Sequence, residues 1–234
     1  MTTAGVIFDG DDTLWETMSA YAEAKQEFSK EMALLGFDPE DALNTFESID
    51  VVNVDKFGFS KHRFPISMAE TYRLFCDRSS WPYDRAIERK IENIAYGIFA
   101  KALITFECAE QVLARLRSHY KLILATKGDE EIQLAKIDQS GLAHFFTSIQ
   151  ILDHKTEREF RRIAEECELD VSSSWVVGDS LRSDINPALE VGFRAIWIPN
   201  DAWAYEKADL PDSDRLFKVN ALQDSLRLLI PEEV

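Results

Sequence analysis

Asp9-Gly10-Asp11-Asp12-Thr13 follows directly on the apolar run Val6-Ile7-Phe8. Four polar residues at the end of a buried strand need a chemical reason. Asp9 leaves the strand first, and Asp11 reaches the same volume once the chain turns at Gly10. A second acidic set comes much later: Gly178-Asp179-Ser180 and Ser183-Asp184 follow Trp175-Val176-Val177. If these strand ends are neighbours, Asp9, Asp11, Asp179 and Asp184 converge. Two carboxylates about 4 Å apart repel by roughly 4 kcal/mol at an effective dielectric near 20. Such a group must be protonated or neutralised, and a divalent cation is the economical solution. Hard oxygen donors, few of them protein carboxylates, point to Mg²⁺ completed by water and a substrate phosphate. Two further strand ends add to the set. Thr126-Lys127-Gly128 follows Leu122–Ala125, and a hydroxyl with free backbone N–H groups suits a phosphoryl oxygen. Lys155 follows Ile149–Leu152 and places a compact positive charge beside an anion.

The elements that must position these residues are legible as short apolar runs: Ala4–Phe8, Lys121–Ala125, Ile149–Leu152, Trp175–Val177 and Phe193–Ile198. Several are apolar on both faces, the pattern of buried parallel strands. Helical patterns separate the later ones. Thr156–Leu169 carries Phe160, Ile163, Ala164 and Cys167 on one face, and Thr156 with Glu159 reads as a capping box. Leu181–Val191 reads as a helix closed by Gly192. From about Glu107 onward helices and strands alternate. This predicts an α/β fold with a doubly wound, Rossmann-like parallel sheet that gathers ligands at its C-terminal strand ends.

The interval between the first and second strands, Leu14 to about Phe106, is too long for one crossover and reads almost entirely helical. Glu16–Leu35 ends at Gly36, Pro39 opens a second helix, and further patterns cover Ile66–Arg78 and Tyr83–Ala102. The expected organisation is an α/β core from 1–15 and 105–234 with a helical cap from 16–104. After Ile198 the chain (PNDAWAYEKADLPDSD) reads as loop.

The 234 residues are 46% hydrophobic and 29% charged, with a formal net charge of −16. So acidic a chain makes a poor binder of nucleic acid. Cys76, Cys108 and Cys167 form no paired motif, so neither a disulfide framework nor a zinc site is indicated. No basic segment precedes the first apolar stretch, and no run approaches a bilayer span. The expectation is a soluble, cytoplasmic protein with no membrane partner.

With these motifs in order, the chain resembles the haloacid dehalogenase-like (HAD) hydrolase superfamily over its whole length. DxDxT, a Thr at the second strand, a Lys before a helix and GDSxxSD all fall at strand ends, and four motifs in series are far more specific than one. The resemblance implies that Asp9 attacks phosphorus and that Asp11 is the general acid–base. It also implies that Asp9, the backbone carbonyl of Asp11 and Asp179 hold Mg²⁺ with Asp184 in support, and that Thr126 and Lys155 hold the phosphoryl group. Lys127 departs from the family's usual Asn; it either adds positive charge near the phosphate or faces solvent, and a substrate-binding place is preferred. Asp12 reads as a turn or cap carboxylate.

The resulting expectation is a phosphatase acting on a small phosphorylated metabolite through an aspartyl-phosphate. A phosphomutase would share every motif. A non-catalytic phosphate-binding regulator would be expected to lack Asp9 or Asp11, and a dehalogenase to lack the acid–base at Asp11. The segment Asp55–Arg63 mixes Lys56, Lys61, His62 and Arg63 with Phe57 and Phe59, which suits either an anionic ring-bearing substrate or an ordinary basic loop. Trp15 reads as packing, and Trp197, Trp203 and Tyr205 as an aromatic group beside the last strand.

Overall fold

The computed structural model describes residues 3–201 and 203–230. They divide into two compact units: one takes the described residues up to Glu16 and from Leu103 onward, the other spans Thr17–Ala102.

The first unit is built on β1 (Gly5–Phe8), β4 (Lys121–Lys127), β5 (Ser148–Leu152), β6 (Trp175–Gly178), β7 (Arg194–Trp197) and β8 (Leu216–Lys218), with two short strands, β2 (Trp15–Glu16) and β3 (Ile104–Thr105). The large sheet is six-stranded and runs β5-β4-β1-β6-β7-β8. Every pairing in it is parallel. From β1 the chain winds outward through β4 and β5, then crosses back to β6 and winds the other way. The reversal lies between β1 and β6, where open α/β sheets leave a crevice at their C-terminal strand ends. Phe8 is level with Val177 on one side and with Leu124 on the other, so Asp9 leaves the sheet between Gly178 and Ala125.

Helices α5 (Ala109–Leu116), α6 (Glu130–Ser140), α7 (Glu157–Glu166), α8 (Asn186–Val191) and α9 (Leu226–Leu229) belong to the same unit. Alternation along β1 divides its side chains between two cores. Val6 and Phe8 pack with Val112, Leu113 and Leu116, whereas Ile7 packs with Phe160, Ile163 and Phe193. That explains why the central strands lack a polar face.

The second unit contains α1 (Met18–Leu34), α2 (Pro39–Phe57), α3 (Arg63–Ser79) and α4 (Arg85–Tyr96) around its own core of Phe28, Phe46, Phe64, Met68, Tyr72 and Ile91. Gly36 (φ +86°) takes the left-handed conformation that stops α1. Asp38 caps α2 by accepting from the N–H groups of Glu40 and Asp41, with Pro39 in the first turn.

Several local expectations change. Leu181–Val191 is not one helix: Ile185 N–H reaches back five residues to Ser180 C=O (3.1 Å), opening a π-type turn at Leu181–Ile185 before α8 begins. Thr156 does cap α7, accepting from Glu159 N–H at 3.4 Å, but the Glu159 carboxylate turns to Arg162 Nε (2.8 Å) and the reciprocal half of the box is missing. β8 lies just beyond the stretch 199–214 that reads as loop, and is too short to show periodicity. The antiparallel pairing of β2 with β3 keeps residues 16, 103 and 104 with the α/β unit. Among the described residues, no helix is long and apolar enough to cross a membrane.

Within the helical unit, Arg63 on α3 pairs with Asp50 on α2, their side chains only 8% and 4% exposed. Removing one member of so buried a pair strands the other charge. Arg63→Met or Asp50→Ala alone is expected to cost ~3–5 kcal/mol, and the double replacement much less than the sum. Urea unfolding of the four proteins in a double-mutant cycle measures this.

Candidate active site

Asp9 extends β1 by one hydrogen bond, its N–H donating to Val177 C=O at 2.9 Å. That bond aims its carboxylate out of the sheet at the β1/β6 crevice. The side chain is almost fully buried. Oδ1 accepts from Lys155 Nζ, and Oδ2 accepts from Thr13 Oγ1 at 3.2 Å. Burial pushes the Asp9 carboxyl up to about 7; Lys155 pulls against this, and the neighbouring Asp184 adds to it.

Lys155 stands between two carboxylates, donating to Asp9 and, at 2.6 Å, to Asp184 Oδ1. Its own burial disfavours the ammonium, but Asp184 and Asp9 outweigh that and hold it charged. Asp184 also accepts from Ser180 N–H through Oδ2 at 3.1 Å. The π-type turn brings it there, and Gly178 makes the room. A Cβ at position 178 would lie 2.5 Å from Asp184 Cγ and Oδ2, so only glycine fits. Ser180 fixes the turn by accepting from Ser183 N–H at 2.9 Å.

Asp179 completes the acidic group. Its Oδ2 accepts from Asn200 Nδ2 and its carbonyl from Trp197 Nε1, both at 2.7 Å. Burial raises its carboxyl well above the ordinary value, with Asp9 and Asp184 adding their repulsion. Asp9, Asp179 and Asp184 each present a carboxylate oxygen, all within 4.8 Å of one another. The set fits a small hard cation: all donors are oxygen, and one buried ammonium leaves three carboxylates under-neutralised.

Asp11 is brought to the same strand end but bonded differently. Lys136 of α6 reaches both its oxygens (2.9 and 2.7 Å), Trp15 Nε1 donates to Oδ1 (2.6 Å), and Gln133 Nε2 to Oδ2 (3.2 Å). Burial would raise this carboxyl, but Lys136 and the other donors prevail and hold it below the usual range. Gly10 allows the turn, because the Trp15 ring occupies the place a Cβ would take. Asp12 adopts φ +59°, a left-handed turn conformation that Asp tolerates better than most residues.

Thr126 is fully buried at the end of β4, its hydroxyl donating to Gln133 Oε1 at 3.1 Å. The Lys127 ammonium donates to Glu206 Oε1 (2.5 Å) and Ser183 Oγ (2.8 Å). Glu206 also accepts from the Ser180 and Ser183 hydroxyls, each at 2.6 Å. Trp203 and Tyr205 stack on each other, and Arg182 lies over the Tyr205 ring. Lys136, Gln133, Asn200 and Glu206 escape sequence reasoning because each meets its partner across a long sequence separation. The spacing of Gln133 and Lys136, three apart on one helix face just after Thr126-Lys127-Gly128, is the one signal that could have marked a pair.

A family model described as haloacid dehalogenase-like hydrolase matches residues 3–192. The mouse N-acylneuraminate-9-phosphatase is 25% identical over 211 residues, covering 82% of this chain and 81% of that protein. A glyceraldehyde 3-phosphate phosphatase from Pyrococcus abyssi is 31% identical over 96 residues, covering 38% of this chain and 40% of its own. The crystal structure of a haloacid dehalogenase-like family hydrolase from Xanthomonas campestris superposes with a TM-score of 0.81 at 25% identity, covering 99% of this chain and 97% of that one.

Glu206 is partly buried, which raises its carboxyl, yet Lys127 and the two serines bring it below its ordinary value of 4.5. Its pairing therefore stabilises the fold fully above that value and is lost as the pH falls through the lower folded one. Glu206→Gln is expected to lower stability by ~1–3 kcal/mol at pH 7, with the gap from wild type closing below about pH 4. Urea unfolding of both proteins across this range measures the gap.

Proposed function

Since this chain belongs to the haloacid dehalogenase-like hydrolase family, we propose that it is a Mg²⁺-dependent phosphatase that hydrolyses a small phosphorylated metabolite through an aspartyl-phosphate on Asp9. The observation that carries this reading is the single volume shared by Asp9, Lys155, Asp179 and Asp184, with an acid–base candidate, Asp11, two residues from the nucleophile. The two relatives named as phosphatases support it, and both names describe small phosphorylated substrates. Catalysis is assigned to the α/β unit, which holds all these residues.

Asp9 attacks phosphorus in line as its Oδ–P bond forms and the P–O bond to the leaving group breaks. Asp11, ionised against Lys136 in the free protein, takes up a proton with the incoming ester, gives it to the leaving oxygen, and then takes one from the water that attacks the aspartyl-phosphate and frees Asp9. Lys155 restrains Asp9 and balances charge on the phosphoryl oxygens. Thr126 exchanges its bond to Gln133 for one to a phosphoryl oxygen, and Lys127 adds positive charge from its place beside Glu206 and Ser183. Asp9, Asp179 and the backbone carbonyl of Asp11 would hold Mg²⁺, with Asp184 in support; the ion would supply the positive charge that lets an anionic nucleophile meet an anionic ester. The chemistry rests on positioning and electrostatic stabilisation.

With Mg²⁺, p-nitrophenyl phosphate is expected to be hydrolysed, and EDTA to stop the reaction until Mg²⁺ is restored. Asp9→Asn should lower kcat by ~10³-fold or more while the protein stays folded. A folded, Mg²⁺-loaded preparation inactive on a panel of phosphate esters, or an Asp9→Asn variant working at the wild-type rate, would contradict the proposal.

A further inference from the structure

Asp11 has a more elaborate set of partners than a proton-transfer group at a strand end requires. Three side chains from two elements converge on its two oxygens: Trp15 and Lys136 on Oδ1, Lys136 and Gln133 on Oδ2. Gln133 is itself fixed, because its amide also donates to Lys127 C=O (3.1 Å) and accepts from Thr126 Oγ1 (3.1 Å). Lys136 sits one helical turn beyond it on α6, the two side chains pointing the same way. An exposed lysine–carboxylate pair is worth little. This pair is different: the Lys136 side chain is 16% exposed, touches both oxygens and shares the carboxylate with two neutral donors.

Resting on the phosphatase reading above, we propose that Lys136 is a positioning residue for the reaction, fixing the Asp11 carboxyl in the orientation from which it passes a proton to the leaving group. Proton transfer in a transition state is sensitive to placement, and an error of about 1 Å costs on the order of 10²-fold. Trp15 holds Oδ1 and Gln133 holds Oδ2, and Lys136 bridges both oxygens, so the contacts together oppose rotation about the Cβ–Cγ bond. The proposal reaches beyond the motif residues, since it places part of the acid–base machinery on α6.

The test compares wild type, Lys136→Arg, Lys136→Met, Asp11→Asn and the Lys136→Met/Asp11→Asn double variant. The substrates are p-nitrophenyl phosphate, whose leaving group departs readily, and glycerol 2-phosphate, whose alkoxide needs a proton. Lys136→Met is expected to lose ~10–100-fold in kcat on the alkyl ester, several-fold less on the aryl ester, and little in KM. Lys136→Arg should recover most of the loss, and Lys136→Met should cost little more once Asp11→Asn is present. Equal losses on both esters, losses confined to KM, or full additivity with Asp11→Asn would overturn the proposal. If Lys136→Met does not fold, Lys136→Gln is read by the same criteria. Wild-type turnover with unchanged leaving-group dependence in the variants overturns this inference alone; a wild type that turns over neither ester overturns the phosphatase reading and this inference with it.

Discussion

Most of the α/β unit can be understood from one buried contact, the Lys155 ammonium held between Asp9 and Asp184. Three carboxylates gathered at the ends of β1 and β6 repel each other strongly, and a folded chain keeps them there only by supplying compensating charge. Lysine suits this place because its compact ammonium can touch two carboxylates at once. The surrounding sequence then follows. Position 178 must be glycine for Asp184 to come close, the turn after it must widen to aim Asp184 inward, and Ser180 must hold that turn. A π-type turn is an uncommon irregularity that recurs where function places demands on the backbone. Here its purpose is geometric: it carries Asp184 to Lys155 only five residues after Asp179.

The sheet topology supplies the other half of the constraint. Reversal of the winding direction between β1 and β6 leaves their C-terminal ends uncovered by crossovers, so two acidic segments far apart in sequence can share a volume. The price is paid in the cores on either face. Val6, Ile7 and Phe8 are fully packed, as are their partners on β4 and β6, so the strands hold their register against charge repulsion at their ends. Stability and site are thus divided along each strand, with the apolar body holding the polar tip in place.

This division decides what could be read from sequence. The strands and the acidic tips were legible because a run such as Val6-Ile7-Phe8 followed by Asp9-Gly10-Asp11 contains both halves of the message in a few residues. The long helical insertion was legible for a related reason: Gly36, Pro39 and the periodic apolar positions are local signals. The short strands β2, β3 and β8 were not, since two or three residues carry no period. The π-type turn was missed as well, because Leu181–Val191 otherwise has the composition of an ordinary helix; Pro187, which has no N–H to donate, was its one local sign. The partners of Asp11 and Lys127 were hidden most completely. Lys136 lies 125 residues from Asp11, and Glu206 lies 79 residues from Lys127, in a segment that reads as loop.

A chain with a net charge of −16 meeting a phosphate ester faces an apparent contradiction, which the placement of its lysines resolves. Charges beyond about 8 Å are largely screened at physiological ionic strength, so most of the surface acids contribute little at the crevice. The local balance is set by Lys127, Lys136 and Lys155, with side chains 12%, 16% and 3% exposed; Lys127 pairs with Glu206, Lys136 with Asp11, and Lys155 with both Asp9 and Asp184. Their pairing keeps them ordered and leaves the acidic group at β1 and β6 short of positive charge. An acidic exterior and an under-neutralised interior are therefore compatible with binding an anion together with a divalent cation. A cation there would fill the deficit, and lysines already ordered by their carboxylates would not have to be arranged by an incoming phosphate.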